Sequence, residues 1–419
     1  MRKRVLVSAY YFSPYRGGEA AVGWKYASGL AKHHDVTVVF GDLSDEMPMR
    51  TDLERYAEED ARPQGLDWVH VAADSRAKFL HRLHCIPGCW FFYYSAYRHW
   101  QKLAYERVKS MHAERPFDII HHLTIIGYRE PGYLWQLNAP FVWGPINGAA
   151  ALPWAYLRGF GLLGTYRHLT RNILNSIQMR LPSRSRKAAS AARKIWTVTK
   201  EDQHMVERLW QAEAEIMIET GALPSQEAII RTLVPEKTLQ LVWCGLIEDR
   251  KALHLVIKAL AQLSPNEDCE LHVIGDGPER SRCESLAKKQ GVDAMIHWHG
   301  RVSHEEAQRL MSQGHALVHS ALKEGTPHVV LEAMAQAMPV ICHDACGMGV
   351  AVTEESGIKI PMRNPRESIA GFLAAIRRLL EDPDLVERLS TGALQRAREQ
   401  SWDGRIEAVS RSYDSILAE

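Results

Sequence analysis

Residues 319–340 read HSALKEGTPHVVLEAMAQAMPV, and this stretch predicts a loop, a helix and a stop. Thr326 is a suitable N-cap, and Pro327 suits the first helical position because its missing N–H is not needed there. No helix breaker occurs from Val329 to Met338, and Pro339 ends the segment. The pattern therefore predicts a helix that begins directly after a polar loop.

Two carboxylates frame this helix: Glu324 precedes it and Glu332 lies within it. On spacing alone, Glu332 is a solvated helix residue and Glu324 is a surface charge. The backbone N–H groups of residues 325–328 are expected to point out of the helix start, where an anion binds well. A loop carboxylate beside such a site also suits a ligand that carries both phosphate and hydroxyl groups.

The stretch resembles the signature of the retaining glycosyltransferases of family 4, which share the GT-B fold. That signature is a Glu, seven residues and a second Glu, then Ala-Met-Ala and Pro-Val, matched here by Glu324, Glu332, 333–335 and 339–340. The resemblance implies that Glu324 contacts the donor sugar and that Glu332 binds the ribose hydroxyls. Ala337 stands where the family usually has Gly, a difference that we expect to affect close packing more than chemistry.

Composition excludes several classes of protein. The chain has 419 residues, which fits two domains, and its net charge of +1 gives no general attraction for nucleic acid. Its seven cysteines are scattered and odd in number, which favours reduced thiols in the cytoplasm. No apolar run approaches the about 18 residues of a membrane span.

The N-terminal part predicts a βαβ unit: a strand over 5–9, a Gly17-Gly18 turn, a helix from about 20 to 32 and a strand over 36–40. The turn is not GxGxxG, so a dinucleotide fingerprint is absent. Taken alone it is an ordinary tight turn. The resemblance implies a donor-side or acceptor-side loop, and we place Gly18 with the donor-binding residues.

A predicted strand over 117–122 ends in two histidines. A lone histidine there is usually a core residue, although ligands of doubly wound sheets bind at this edge. The family commonly has Asp, two apolar residues and His, matched by 118–121, so the resemblance implies a catalytic role for His121. Many members also carry a functional His after the next strand. Here Asn147 lies in that region, and an amide cannot serve as a base.

The second half opens with a predicted strand over 239–244 and a helix over 253–263. The family has Gly-Arg-Leu, three residues and Lys between them, so the resemblance implies that Gly245 and Lys251 bind the donor and that Lys251 grips its diphosphate. Leu246 occupies the Arg position, and Arg250 is expected to supply the missing charge. Without the resemblance, Lys251 is a solvated lysine, although a cation at a helix start opposes the helix dipole unless an anion is bound.

The remaining predicted donor contacts come from two loops. Arg301 and Val302 follow a predicted strand over 295–299 and lie where the family holds the nucleotide base, and Gly325 and Thr326 complete the donor-binding set. The one Asp-x-Asp, at 382–384, is interpreted as a turn between helices. We therefore predict no metal site and no cofactor, the nucleotide-sugar being a substrate.

Two stretches are rich in basic residues, with aromatic residues in 79–110 and mixed apolar residues in 153–194. Residues 79–110 either pack in the first core or lie at a membrane surface. Residues 153–194 either form a solvated basic face or face an anionic lipid or a phosphate-bearing acceptor. Both alternatives stay open, and peripheral membrane contact is one of them.

These observations predict an α/β protein with the GT-B fold, two Rossmann-like domains that face a cleft. We expect an acceptor-side domain over 1–222, a nucleotide-sugar-binding domain over 223–400 and a closing helix over 401–419 that returns to the first domain. The predicted activity is retaining transfer of a sugar from a nucleotide-sugar to a glycan or lipid-linked glycan, in the cytoplasm or at the inner face of the membrane. The alternatives are a nucleotide-sugar epimerase or hydrolase, and a binding protein without catalysis.

Overall fold

The computed structural model describes residues 2–43, 48–60, 62–86, 89, 91–181, 183–225, 227–234 and 237–418, with the backbone alone at 163. The chain divides into two compact units. The first comprises residues 1–149, 179–219 and 402–419, and the second comprises 150–178 and 220–401.

The first unit is a seven-stranded parallel sheet with helices, in the order β3-β2-β1-β4-β5-β6-β7. Its elements, with α5 running on from the second unit, are β1 (Arg4–Ala9), α1 (Glu19–Leu30), β2 (Asp35–Phe40), α2 (Met49–Glu59), β3 (Leu66–His70), α3 (Ser75–His84), α4 (Phe92–Glu114), β4 (Ile119–Thr124), β5 (Phe141–Ile146), α5 (Gly161–Arg180), α6 (Arg184–Ala191), β6 (Ala192–Thr197), α7 (Lys200–His204) and β7 (Glu215–Ile216). A π-helical turn, Met205–Trp210, follows α7, and short 3-10 turns cover Leu134–Gln136 and Trp154–Phe160.

The second unit is a six-stranded parallel sheet in the order β10-β9-β8-β11-β12-β13. Its elements are β8 (Leu239–Cys244), α8 (Leu253–Leu260), β9 (Cys269–Ile274), α9 (Arg280–Gln290), β10 (Ile296–Gly300), α10 (His304–Ser312), β11 (Ala316–His319), α11 (His328–Ala335), β12 (Val340–His343), α12 (Cys346–Ala351), β13 (Gly357–Ile360), α13 (Pro365–Glu381) and α14 (Pro383–Glu399). Short 3-10 turns cover Asp249–Lys251 and Asp293–Met295. The last helix, α15 (Trp402–Ala418), belongs to the first unit.

Buried apolar strands explain why the sequence predicted both sheets. In β1 and β12 every side chain except that of Arg4 is buried, as expected for parallel strands covered on both faces. The predicted α/β fold with two Rossmann-like domains is confirmed. In each sheet the chain reverses its direction of winding beside the first strand, between β1 and β4 and between β8 and β11.

Residues 150–178 differ from the predicted division, which assigned them to the first domain. Leu152, Tyr156 and Leu157 are buried in the apolar core of the second unit. The Tyr156 hydroxyl also lies 2.6 Å from Ser368 Oγ on α13. These contacts hold the segment to the second sheet even though it precedes that sheet in the chain.

The helix of the opening stretch starts and ends differently from its prediction. Pro327 is the N-cap of α11, and Thr326 makes no capping hydrogen bond, so the predicted N-cap is wrong. The helix ends at Ala335 because Ala337 adopts a left-handed conformation with φ of 57°. A glycine at this position, which the resemblance implies, would therefore meet a requirement of backbone conformation, whereas the sequence predicted a requirement of close packing.

Candidate active site

The second sheet gathers its charged residues at the point where its winding reverses. In doubly wound sheets, ligands bind outside the carboxyl ends of the strands at this point. Lys251 follows β8, Glu324 follows β11, and these two strands are hydrogen-bonded neighbours. The sheet order therefore brings together two residues that the sequence places in separate motifs.

Glu324 is the centre of an ionic group. Its Oε2 atom forms an ion pair with Lys251 Nζ and lies 3.2 Å from Arg250 Nη1. Arg250 Nη2 lies 2.6 Å from Glu248 Oε1, and Arg250 Nη1 also donates to the carbonyl of Lys323 at 3.1 Å. The side chains of Lys251 and Glu324 are only 12% and 18% exposed, so solvent screens their attraction weakly. Arg250 thus holds the loop that carries Glu324, and its predicted contact with the donor stays a prediction.

The loop before α11 leaves fewer backbone N–H groups free to bind an anion than the sequence predicted. Pro327 has no N–H, and the N–H of His328 donates to the Thr326 carbonyl at 3.0 Å. Within the described part of the chain, the N–H groups of Gly325 and Thr326 have no acceptor. An anion at this point can therefore accept hydrogen bonds from two backbone N–H groups, whereas the sequence predicted N–H donors from residues 325–328.

Two buried polar atoms beside this loop lack a partner among the described residues. They are Thr326 Oγ1 and His319 Nε2, at side chains that are 7% and 3% exposed. Burial, and secondly the charge of Lys251, lowers the pKa of His319 well below its usual value, so the ring is neutral. An unsatisfied buried polar group is costly, which makes both atoms candidates for contact with a ligand. His319 was missed because a strand-end histidine resembles a core residue.

Glu332 points from α11 towards α10. Its Oε2 accepts a hydrogen bond of 3.1 Å from Gln308 Nε2, and its charge contributes to the raised pKa of Cys244 at the end of β8. Glu332 therefore also lies near the carboxyl end of β8, with one oxygen oriented by an amide.

The other predicted donor residues of this unit lie in loops at the carboxyl ends of strands. Gly245 follows β8 with φ of 151°, a conformation that disfavours side chains. Arg301 and Val302 follow β10, and the exposed Arg301 has no ionic or hydrogen-bond partner in the described chain.

His121, predicted to act in catalysis, is completely buried in the first unit. Its Nε2–H donates to the Gly144 carbonyl at 2.7 Å, so its Nδ1 accepts from the Tyr413 hydroxyl at 2.6 Å. Burial lowers the pKa of His121 to about 4. Both ring nitrogens have partners within the first unit, and the catalytic role of His121 stays a prediction.

Glu19 occupies the reversal point of the first sheet, and sequence reasoning missed it. It is the first residue of α1, and its carboxylate accepts the N–H of Ile126, just beyond β4, at 3.3 Å. Burial raises the pKa of Glu19 to about 7. Gly18, immediately before it, has φ of 61°, which explains the glycine of this turn. The sequence feature that could have identified Glu19 is a carboxylate directly after two glycines at a strand-to-helix turn.

Residues 225–396 match the family model described as glycosyl transferases group 1. The chain is 31% identical over 155 residues to an alpha-D-kanosaminyltransferase of Streptomyces kanamyceticus, an alignment that covers 36% of this chain and 39% of that protein. It is 30% identical over 191 residues to the lipopolysaccharide core biosynthesis glycosyltransferase LpsD of Rhizobium meliloti, covering 45% of this chain and 53% of that protein. The chain thus aligns with 39% and 53% of the length of these relatives.

Solved structures resemble the chain over its whole length at low identity. Sucrose-phosphate synthase from Thermosynechococcus elongatus has a TM-score of 0.63 and 17% identity, covering 100% of both chains. HepE of Anabaena in complex with UDP has a TM-score of 0.59 and 13% identity, covering 99% of this chain and 100% of that one. The chain therefore has the GT-B fold that these solved structures share. The match to the group 1 glycosyl transferases covers residues 225–396, which lie in the second unit and make up less than half of the chain.

Proposed function

We propose that the protein is a retaining glycosyltransferase that moves a sugar from a nucleotide-sugar to a glycan or lipid-linked glycan. The observation that carries this proposal is the ionic group of Lys251, Arg250 and Glu324 at the reversal point of the second sheet. Cations that can meet a diphosphate and a carboxylate that can accept sugar hydroxyl groups are the two chemistries that such a donor needs.

The donor reaction follows from these positions. Lys251 and the N–H groups of Gly325 and Thr326 would stabilise the leaving diphosphate, while Glu324 accepts hydrogen bonds from the sugar. Transfer with retention then proceeds on one face of the sugar without a covalent enzyme intermediate, so positioning and charge stabilisation carry the catalysis. We propose that this reaction needs no metal, because Lys251, Arg250 and the two backbone N–H groups supply the positive charge.

On the acceptor side, Glu19 is the group that we propose in place of the histidine missing after β5. A carboxyl group with a pKa of about 7 can accept a proton from, or hold, an acceptor hydroxyl near neutral pH. Its place at the reversal point of the first sheet supports this role.

Helix α5 supports contact with an anionic membrane in the cytoplasm. Its outer face carries apolar side chains that are 42% to 94% exposed, which we call the α5 apolar face: Leu162, Tyr166, Ile173, Leu174 and Ile177. Three of its polar side chains, those of His168, Asn172 and Asn175, are buried. His168 contacts Asp249 at 3.1 Å, and Asn172 bonds both the N–H and the carbonyl of Leu152. This inverted pattern is typical of a surface that inserts into an interface.

Charge favours an anionic lipid at the α5 apolar face. From residue 131 to 200 the chain has ten Lys and Arg residues and no Asp or Glu. In the other candidate stretch, Tyr97 and Trp100 are core residues, whereas Phe79 and Phe91 are exposed. Within the described residues, none of the helices combines the length and hydropathy that a bilayer span requires.

The decisive experiment is binding followed by transfer. Because HepE is solved with UDP, UDP and UDP-sugars are the first donors to test by calorimetry, followed by other nucleotide-sugars. A donor that binds and then transfers its sugar with retention to a glycan or lipid-linked glycan supports the proposal. NMR of the donor alone separates the alternatives: an epimer or free sugar as the main product, or binding without transfer to any acceptor, contradicts it.

A further inference from the structure

A cluster of imidazoles lies at one edge of the second sheet, apart from the ionic group of Lys251. β10 is the edge strand and pairs in parallel with β9, with His297 directly opposite His272. Alternate residues of a strand share a face, so Glu270 and His272 lie beside His297 and His299. The predicted donor site does not use these four side chains.

The contacts within this cluster are close. His297 Nε2 lies 3.2 Å from Glu270 Oε2, and His272 Nδ1 lies 3.0 Å from His299 Nε2. The His272 ring stacks on those of His297 and His299, with centroids 4.8 and 5.3 Å apart. One ligand atom each from Glu270, His272 and His297 lies within 4.8 Å of the other two, and among the described residues this is the group of three that meets that condition.

A neighbouring amide already orients two of these side chains. Gln240 Oε1 lies 2.7 Å from His272 Nε2, and Gln240 Nε2 donates to Glu270 Oε2 at 3.1 Å. Metal ligands are generally held by such hydrogen bonds from residues behind them. In a tetrahedral zinc site with bonds near 2.1 Å, ligand atoms stand about 3.4 Å apart. The cluster therefore needs movements of roughly 1 Å, which the partly exposed His297 and Glu270 side chains, at 44% and 38%, permit.

We propose that Glu270, His272 and His297 bind one divalent transition-metal ion of the zinc type. Two imidazoles and a carboxylate are ligands that zinc accepts, with a fourth position for water or His299. The ion joins the edge strand β10 to β9 and stabilises the segment that leads into Arg301 and Val302. Its role is structural, and it takes no part in the proposed sugar transfer.

The test is calorimetric titration of the full chain with Zn²⁺, in a Cys85→Ser background because Cys85 is an exposed thiol. We expect one equivalent to bind with micromolar affinity or better, and the midpoint of thermal unfolding to rise. His297→Gln should weaken binding at least tenfold and abolish the thermal shift. His33→Gln, the same change at an exposed histidine of the first unit, should leave both unchanged.

A second variant keeps the test valid if His297→Gln folds poorly. Glu270→Gln preserves the shape of the side chain and should also weaken Zn²⁺ binding, in a protein whose circular dichroism matches the parent. Equal Zn²⁺ affinity in the parent and in either cluster variant overturns the proposal. Weak binding of several Zn²⁺ equivalents, reduced as much by His33→Gln as by the cluster variants, also overturns it.

Discussion

Lys251 and Glu324 form an ion pair at the reversal point of the second sheet, although 73 residues separate them in the chain. The ammonium group is therefore compensated before any diphosphate arrives. In the proposed donor site, a diphosphate would compete with Glu324 for this cation, and the displaced carboxylate would be free to accept hydrogen bonds from sugar hydroxyl groups. Under the proposed function, the pair would couple recognition of the diphosphate to recognition of the sugar.

Replacing Lys251 by Ala should weaken binding of UDP, or of whichever nucleoside diphosphate binds. A hydrogen bond to a charged group contributes roughly 1.5–3 kcal/mol, and competition from Glu324 puts the expected loss near the lower end. Calorimetry measures it, with Lys289→Ala on the exposed end of α9 as the matched control. Unchanged affinity for the nucleoside diphosphate in a folded Lys251→Ala protein would refute the proposal that Lys251 binds the diphosphate.

Glu324→Gln should lower turnover without weakening nucleoside diphosphate binding. The diphosphate alone has no sugar for Glu324 to contact, and loss of the negative charge releases Lys251 and Arg250 for the phosphates. Affinity for the diphosphate should therefore stay equal or rise. Glu305→Gln, an exposed glutamate of α10, is the control. Parent-like turnover in Glu324→Gln would contradict a role at the sugar.

Glu332→Gln should fail in a different way, because its predicted partner is the ribose. Binding of the nucleoside diphosphate and of the complete donor should weaken together, a uniform loss that raises KM more than it lowers kcat. Inorganic pyrophosphate, which has no ribose, should bind the variant and the parent equally. If pyrophosphate binding fell as much as diphosphate binding, Glu332 would act on the phosphates or on the fold.

Local sequence pattern was enough to predict the strands, because buried parallel strands appear as short apolar runs between turns. It also marked Glu324, Glu332 and Lys251 through a family signature. It could not reveal the Lys251–Glu324 pair, which depends on β8 lying next to β11. The left-handed Ala337 was missed for a related reason: Ser390 Oγ donates to its carbonyl at 2.6 Å from a helix over fifty residues away.

Glu19 provides a prediction about stability that needs no substrate. Burial raises its folded pKa from 4.5 to about 7, so the folded state favours the protonated carboxyl. The stabilisation of the folded state that comes from this raised pKa is complete below about pH 4.5, and it is lost as the pH rises through about 7. The loss is on the order of 3 kcal/mol, since each pKa unit corresponds to about 1.4 kcal/mol.

Glu19→Gln removes this titration while its amide oxygen can still accept the Ile126 N–H. Its free energy of unfolding, relative to the parent, should therefore increase between pH 5 and pH 8. Urea unfolding at both pH values measures the change, with Glu58→Gln on the exposed side of α2 as the control. The same difference at both pH values would mean that Glu19 titrates like an ordinary surface carboxylate.

The α5 apolar face predicts binding to anionic vesicles. Leu162, Tyr166, Ile173 and Ile177 recur at spacings of four and seven residues, so they form one stripe along the helix. Flotation with phosphatidylglycerol vesicles should show binding that falls with added salt, because arginines supply the attraction to the lipid charge.

Changing Ile173 and Ile177 to Ser should reduce this flotation strongly, since each loses apolar area that would enter the interface. Phe79→Ser, which changes an exposed apolar residue on α3, separates this surface from the aromatic stretch of the first unit. A larger loss for Phe79→Ser than for the α5 double variant would move the contact to α3. Equal binding to neutral and anionic vesicles would contradict the attraction of the arginines to anionic lipid. No binding at low salt would mean that the α5 apolar face does not bind a lipid surface.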